Sequence, residues 1–284
     1  MQVLTTQKEI VRQIEACIRQ NKTIGLVPTM GALHQGHAAL VRRAVAENDV
    51  CVVSVFVNPT QFNNPEDLLK YPRTLDKDVA LLSELGVHFV FAPTAEEVYS
   101  AEEIKTAFSF DFNGLDQVME GKMRPGHFNG VVQIVSKLFE LVHPTRAYFG
   151  EKDFQQLAII REMVRQLGMG LEIVGCPIVR EEDGLAMSSR NTLLSEDERE
   201  RALTISSTLF ASADFAKINT LAATKAFVED MINDTPGLEL EYYQIVDGNT
   251  LQEIEEWKDS DYVVGCIALF CGNVRLIDNI KYKG

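Results

Sequence analysis

The sequence predicts an α/β fold in two parts: a parallel sheet over residues 1–177 and a smaller α+β domain over 178–284. Three observations carry this. Short apolar runs alternate with helix-period stretches through the first 177 residues, the pattern of βαβ units. The run VCVVSVFV at 50–57 is almost continuously apolar and β-branched, as in a strand covered on both faces. After Pro177 the alternation stops, and two helical stretches precede three strand-like runs. The first part is therefore Rossmann-like.

Taken in order, residues 6–20 set Ile10, Ile14, Cys17 and Ile18 among charges at helical spacing. A strand at 23–27 leads through a glycine-containing turn into a helix ending near 48. The 50–57 strand is followed by a loop at 58–73 carrying Asn58, Gln61, Asn63 and Asn64. Residues 74–86 place Leu75, Val79, Leu82 and Leu85 on one face, and Gly86 stops that helix. A strand follows at 87–92. The stretch 96–116 has no clean period, with 106–112 as a candidate strand. RPGHFNG at 124–130 reads as a glycine-rich loop before a helix at 131–142. A strand at 147–149 runs directly into Gly150, Glu151, Lys152 and Asp153, then a helix at 154–167 and a strand at 171–175. Residues 178–190, IVREEDGLAMSSR, form a polar loop with no evident place in a sheet. Ser195 and Glu198 form a capping box that opens a long helix. A further helix at 221–233 precedes strands at 240–246, 262–271 and 274–278, the last two joined by a Gly272-Asn273 hairpin turn.

A net charge of −14 disfavours a nucleic-acid partner, because phosphate backbones are held by clustered Lys and Arg. Cys17, Cys51, Cys176, Cys266 and Cys271 are odd in number, scattered and mostly in apolar runs. They read as buried thiols in a reducing cytoplasm rather than as disulfide or zinc ligands. The first 20 residues have no unbroken apolar core of a signal peptide, and no run reaches the roughly 20 residues of a membrane span. A soluble cytoplasmic protein is the expectation.

The chemistry centres on TIGLVPTMGALHQGHAAL at 23–40. A strand that turns through glycines into a helix start presents unpaired backbone N–H groups and the positive end of the helix dipole. His34 and His37 lie three apart, on one face of the first turn, and can reach one phosphate group. A pair of surface histidines or a zinc site remains open on spacing alone, although no H-E-x-x-H is present. In open parallel sheets ligands bind beyond the carboxyl ends of the strands. The loops after 23–27, 50–57 and 147–149 should therefore converge on one cleft.

PTMGALHQGH at 28–37 resembles the H-x-G-H signature of the nucleotidylyltransferase superfamily, which shares its site with class I aminoacyl-tRNA synthetases. FVNPTQF at 56–62, RPGHFNGV at 124–131, GEKDFQQL at 150–157 and DGLAMSSRN at 183–191 extend the match, in order, and RLIDN at 275–279 continues it more weakly. Together they resemble the pantothenate synthetase (pantoate–β-alanine ligase) family. The resemblance implies a nucleotidylyltransferase-type fold and an ATP-dependent condensation of (R)-pantoate with β-alanine. The path would run through pantoyl adenylate, with Mg²⁺ on the phosphates and a homodimer as the usual assembly. The apolar strand around Val52 is a candidate to pack across such a dimer. Another nucleotidylyltransferase, or a non-catalytic nucleotide-binding module, are the alternatives that product mass and turnover would separate.

By this resemblance His34, His37, Lys152 and Arg190 are the catalytic candidates, with His37 as proton donor. ATP would be lined by Met30, Gly31, Ala32, Leu33, His34, Gln35, Gly36 and His37. On the opposite side it would meet Gly150, Glu151, Lys152, Asp153, Val179, Met187, Ser188, Ser189 and Arg190. Asp153 would orient the ribose or the magnesium shell. Residues 187–190, MSSR, occupy the place of the superfamily's K-M-S-K-S loop, with Ala186 where the leading lysine stands. Gln61 and Gln156 would hold pantoate, and Gln61 would also face β-alanine. No residue is assigned as a metal ligand. Asn58, Arg124 and His127 fall in matched motifs without an assigned role.

Overall fold

The computed structural model describes residues 1–63, 65–105 and 108–284, without the side chains of 67, 104 and 105. The chain opens with β1 (Gln2–Leu4) and α1 (Gln7–Arg19), then β2 (Ile24–Thr29), α2 (Gln35–Glu47) and β3 (Val50–Val55). Next come α3 (Pro65–Lys70), α4 (Leu75–Glu84), β4 (Phe89–Phe91), α5 (Ala95–Val98), α6 (Ala101–Lys105) and α7 (Met119–Met123). The buried helix α8 (His127–Val142) leads to β5 (Arg146–Gly150), α9 (Phe154–Gln166) and β6 (Glu172–Cys176). The remainder is α10 (Glu196–Phe215), α11 (Leu221–Asn233), β7 (Leu238–Asp247), β8 (Val263–Cys271) and β9 (Val274–Lys283).

Six strands form one wholly parallel sheet in the order β1-β4-β3-β2-β5-β6. Successive residues of β2 and β3 face opposite layers, as the pleat requires. Leu26 and Val52 join the core with α1, α8 and α9, whereas Val27 and Val53 pack with α2 and α4. All four are fully buried, which is why 50–57 carries no polar alternation. Each such side chain contributes about 1.5–3 kcal/mol of burial free energy. β3 is internal to the sheet, so Val52 is not available to pack across a dimer. The strands at its edges are β1 and β6.

The second sheet is antiparallel, β7-β8-β9, with Cys271 opposite Val274 across the expected Gly272-Asn273 turn. One face carries Tyr243, Ile245, Ile267 and Leu269 against α10 and α11. The other contributes Val246, Val264 and Cys266 to the core beneath the parallel sheet. The Ser195–Glu198 capping box forms as expected, with bonds of 3.3 and 2.9 Å between side chains and backbone N–H groups. All five cysteines are buried.

Several local readings differ. β1 was not foreseen: three residues are too few to show a period, and pairing with β4 makes the strand. The candidate strand at 106–112 falls partly on 106 and 107, outside the described residues, and 108–112 take no strand geometry. Asn64 of the 58–73 loop is also outside them. The loop 178–190 folds on itself, through a bridge between Arg180 and Ala186 and a 3.0 Å bond from Met187 N–H to the Val179 carbonyl. The helix expected at 131–142 begins earlier, at His127.

Candidate active site

The chain leaves β2 toward β3, β4 and β1 on one side, and β5 and β6 lie on the other. The β2/β5 boundary is thus where the strand order reverses, the usual ligand crevice of such a sheet. Because all strands are parallel, the segments after β3, β2, β5 and β6 leave the same edge side by side. They line a cleft of about 240 Å³. A second cavity of about 500 Å³ opens from it toward β9 and α10, sharing Arg124, Lys152, Gln156 and Arg190.

His34 is the N-cap of α2, and the two histidines form a capping box of their own. Gly36 N–H donates to His34 Nδ1 at 3.1 Å, and His34 N–H donates to His37 Nδ1 at 3.3 Å. A neutral imidazole whose Nδ1 accepts must carry its proton on Nε2. Both rings are therefore fixed as Nε2–H donors, with centroids 4.1 Å apart. Burial, then the neighbouring His34 and Lys152, push the pKa of His37 down to about 3. Burial and Lys152 lower that of His34 also. At neutral pH these are uncharged hydrogen-bond donors. The glycine between them has a steric reason: a Cβ at Gly36 would lie 2.7 Å from His34 Cε1. Behind the turn, Asp78 on α4 accepts from Ala32 N–H at 3.0 Å and Leu33 N–H at 2.8 Å.

The segment after β3 is held by Asn58, whose Nδ2 donates to Gln61 Oε1 at 3.1 Å and to the Gly130 carbonyl at 3.0 Å. Its Oδ1 accepts from Tyr99 Oη at 2.9 Å. Gln61 is thereby fixed with Oε1 engaged. The Gln61 carbonyl can only accept, so His127 Nδ1, 2.8 Å away, carries the proton. Arg124 can only donate, so His127 Nε2 accepts from it at 3.3 Å. Burial, then Arg124, lower the His127 pKa to about 4. Gly130 allows the close approach: a Cβ there would sit 2.3 Å from the Thr60 carbonyl oxygen. Asn58, Arg124 and His127 thus act as a scaffold for Gln61.

The opposite wall is the 3₁₀ turn Glu151–Asp153 at the end of β5, with the Ser188–Arg190 stretch beyond it. Ser188 Oγ caps the second turn by accepting from Arg190 N–H at 3.2 Å. Of the expected residues, the structure brings Met30, His34, Gly36, His37, Asn58, Gln61, Arg124, His127, Gly150, Lys152, Asp153, Gln156, Val179, Met187, Ser188, Ser189 and Arg190 to the cleft. Gly31, Ala32, Leu33, Gln35 and Glu151 are not among its lining residues. The first three hold the turn, Gln35 accepts from Arg42 at 3.1 Å, and Glu151 gives its carbonyl to Asn279. Asp78 and Tyr99 were missed. An acidic residue in the first turn of a helix reads from sequence as a dipole partner, so Asp78 carries no separate signal.

A parallel α/β sheet with a histidine-capped helix start at its reversal point defines a protein of the H-x-G-H class. The chain belongs to the pantoate-beta-alanine ligase family, whose profile matches residues 2–281. It is 66% identical to a pantothenate synthetase of Phocaeicola vulgatus, with both chains covered completely. Pantothenate synthetase of Thermus thermophilus superposes with a TM-score of 0.93 at 42% identity, again over all of both chains. The Francisella tularensis ligase complexed with beta-gamma ATP and beta-alanine superposes at 0.82, with 34% identity over 99% of this chain and 98% of that one. Among the described residues no helix is long and apolar enough to cross a membrane.

Proposed function

We propose that this chain condenses (R)-pantoate with β-alanine, consuming ATP, through a pantoyl-adenylate intermediate. A pantoate carboxylate oxygen attacks the α-phosphorus, and pyrophosphate leaves. The β-alanine amine then attacks the acyl carbon, an amide forms, AMP leaves, and the ammonium proton goes to solvent or phosphate. The observation that carries this is the pair of Nε2–H donors at the start of α2, opposite Lys152 and the 187–190 turn. Charge develops on the phosphorus and the departing pyrophosphate, so positioned donors and cations suffice without a side-chain nucleophile.

His37 donates to phosphate as a neutral N–H, because its depressed pKa leaves no imidazolium to act as an acid in the free protein. Lys152 and Arg190 supply the positive charge. Gln61 and Gln156 bind the pantoate hydroxyls and carboxylate. Met30, Phe62, Val131 and Val135 line the same cleft and suit its two methyl groups. Gln61 faces β-alanine as well.

Mg²⁺ fits this site in one manner only. No group of three His, Cys, Asp or Glu side chains able to hold a metal occurs among the described residues. A magnesium ion here would be held by phosphate oxygens and water, with Asp153 as a carboxylate lining the cleft. It would neutralise phosphate charge. Residues 178–284 form a second domain that lids the cleft, the protein acts in the cytoplasm, and it assembles as a homodimer. Pyrophosphate and AMP release from ATP, pantoate and β-alanine tests the activity. Release of AMP that does not depend on both co-substrates sinks the reading, and light scattering tests the dimer.

A further inference from the structure

The turn that carries Lys152 has no local holder: its N-cap is Gly150, and no side chain caps it. Two of its carbonyls take their donors from far along the chain. Asn279, on β9 of the second sheet, supplies them. Its Nδ2 donates to the Glu151 carbonyl at 2.8 Å and the Lys152 carbonyl at 3.0 Å, so both amide hydrogens are engaged. The preceding residue, Asp278, takes the Arg180 guanidinium in a two-pronged ion pair at 2.6 and 3.0 Å. Arg180 also donates to the Gly184 carbonyl and lies 4.9 Å over the Phe210 ring, which fixes the fold-back of 178–187. Both β9 side chains are buried. Two adjacent residues therefore anchor both segments of the cationic wall.

We propose that Asn279 is a positioning residue for adenylate formation, setting where the Lys152 ammonium meets the triphosphate, with Asp278 and Arg180 fixing the 187–190 turn to the same strand. The proposal rests on the ligase reading. A merely structural Asn279 would lower stability and every kinetic constant together. A positioning Asn279 acts through Lys152 and changes ATP handling selectively.

The test is a double-mutant cycle in the full-length chain with Asn279→Ala, Lys152→Ala and the double variant. ATP affinity is read by calorimetry, and pyrophosphate release by a coupled assay with ATP and pantoate. Loss of both bonds should weaken ATP binding and slow pyrophosphate release about tenfold. KM for β-alanine should stay near that of the parent, while the melting temperature falls by a few degrees because two carbonyls lose their donor. The double variant should be no worse for ATP than Lys152→Ala alone. Asn279→Asp, nearly isosteric but with no donor, should reproduce Asn279→Ala. Additive losses in the cycle, uniform losses in all constants, or an Asn279→Asp variant with parental ATP affinity would overturn the proposal. Absence of turnover in the parent chain strikes instead at the ligase reading, and the calorimetric cycle still decides the role of Asn279.

Discussion

The two walls of the cleft are built in opposite ways. The histidine wall is closed within a few residues: the His37 ring accepts from His34 N–H, the His34 ring accepts from Gly36 N–H, and Gly36 leaves room for the ring. Asp78 and Ser54 reach in from farther along the chain. The cationic wall is closed across the whole molecule, by Asn279 from 127 and 128 residues away and by the Arg180–Asp278 pair spanning 98. A local wall is rigid as soon as its helix forms. A remote wall is in place only when the second sheet has docked. On the proposed reading, the difference sets locally held donors on one side of the triphosphate and a charge held from the second sheet on the other.

The largest expected effect breaks the local wall. His37→Ala removes a donor placed where charge develops, and kcat should fall about 10²–10³-fold. Stability should change by no more than about 1 kcal/mol, the worth of one cap interaction. Steady-state kinetics with a denaturant titration checks both, and an unchanged kcat refutes the role. Next, Lys152→Ala removes the charge of the remote wall. Single-turnover pyrophosphate release should slow about 10–100-fold. Pantoate affinity, proposed to rest on Gln61 and Gln156, should hold, and a larger loss there would show that the wall contacts the acid rather than ATP.

A smaller effect comes from Gly36→Ala. The new methyl forces the His34 ring to move by a few tenths of an ångström or more, since the gap is 2.7 Å. Helix propensity favours alanine by about 1 kcal/mol, so stability should hold or rise. ATP affinity should fall about tenfold, a separation that calorimetry and thermal melting measure side by side. Equal losses in both would mean that the methyl unseats the helix rather than the ring.

The same contrast explains what the sequence made legible. The parallel sheet followed from β-branched runs such as 50–57, and the histidine wall from glycines and histidines inside one 18-residue stretch. The capping roles of Nδ1, which decide the tautomers, arise only in the folded turn. Asn58 and His127 stood in visible motifs, yet their task is to hold Gln61 through Gly130 and a backbone carbonyl. Asn279 was visible only as part of RLIDN, because its partners lie at the far end of the fold. Short-range geometry leaves a pattern in neighbouring residues, whereas a side chain that satisfies a distant carbonyl leaves none.

The subtlest expectation concerns pH. His37 and His127 have folded pKa values of about 3 and about 4, below the ordinary 6.5. The unfolded chain therefore binds more protons than the folded one below 6.5. Stability is complete above that value and declines as pH falls toward the folded values, by up to about 1.4 kcal/mol per pH unit for each histidine. His34 shifts in the same direction. Carboxylates enter lower down: burial raises Glu120, but Arg275 and Tyr242 outweigh it and hold it at about 2, so its loss begins only below 4.5. Between those limits the histidines dominate the slope. Denaturant unfolding from about pH 7 to about pH 5 should show the decline, and His37→Gln should flatten it. A parental slope in that variant would place the missing protons outside the histidine wall and leave its neutral-donor chemistry without support.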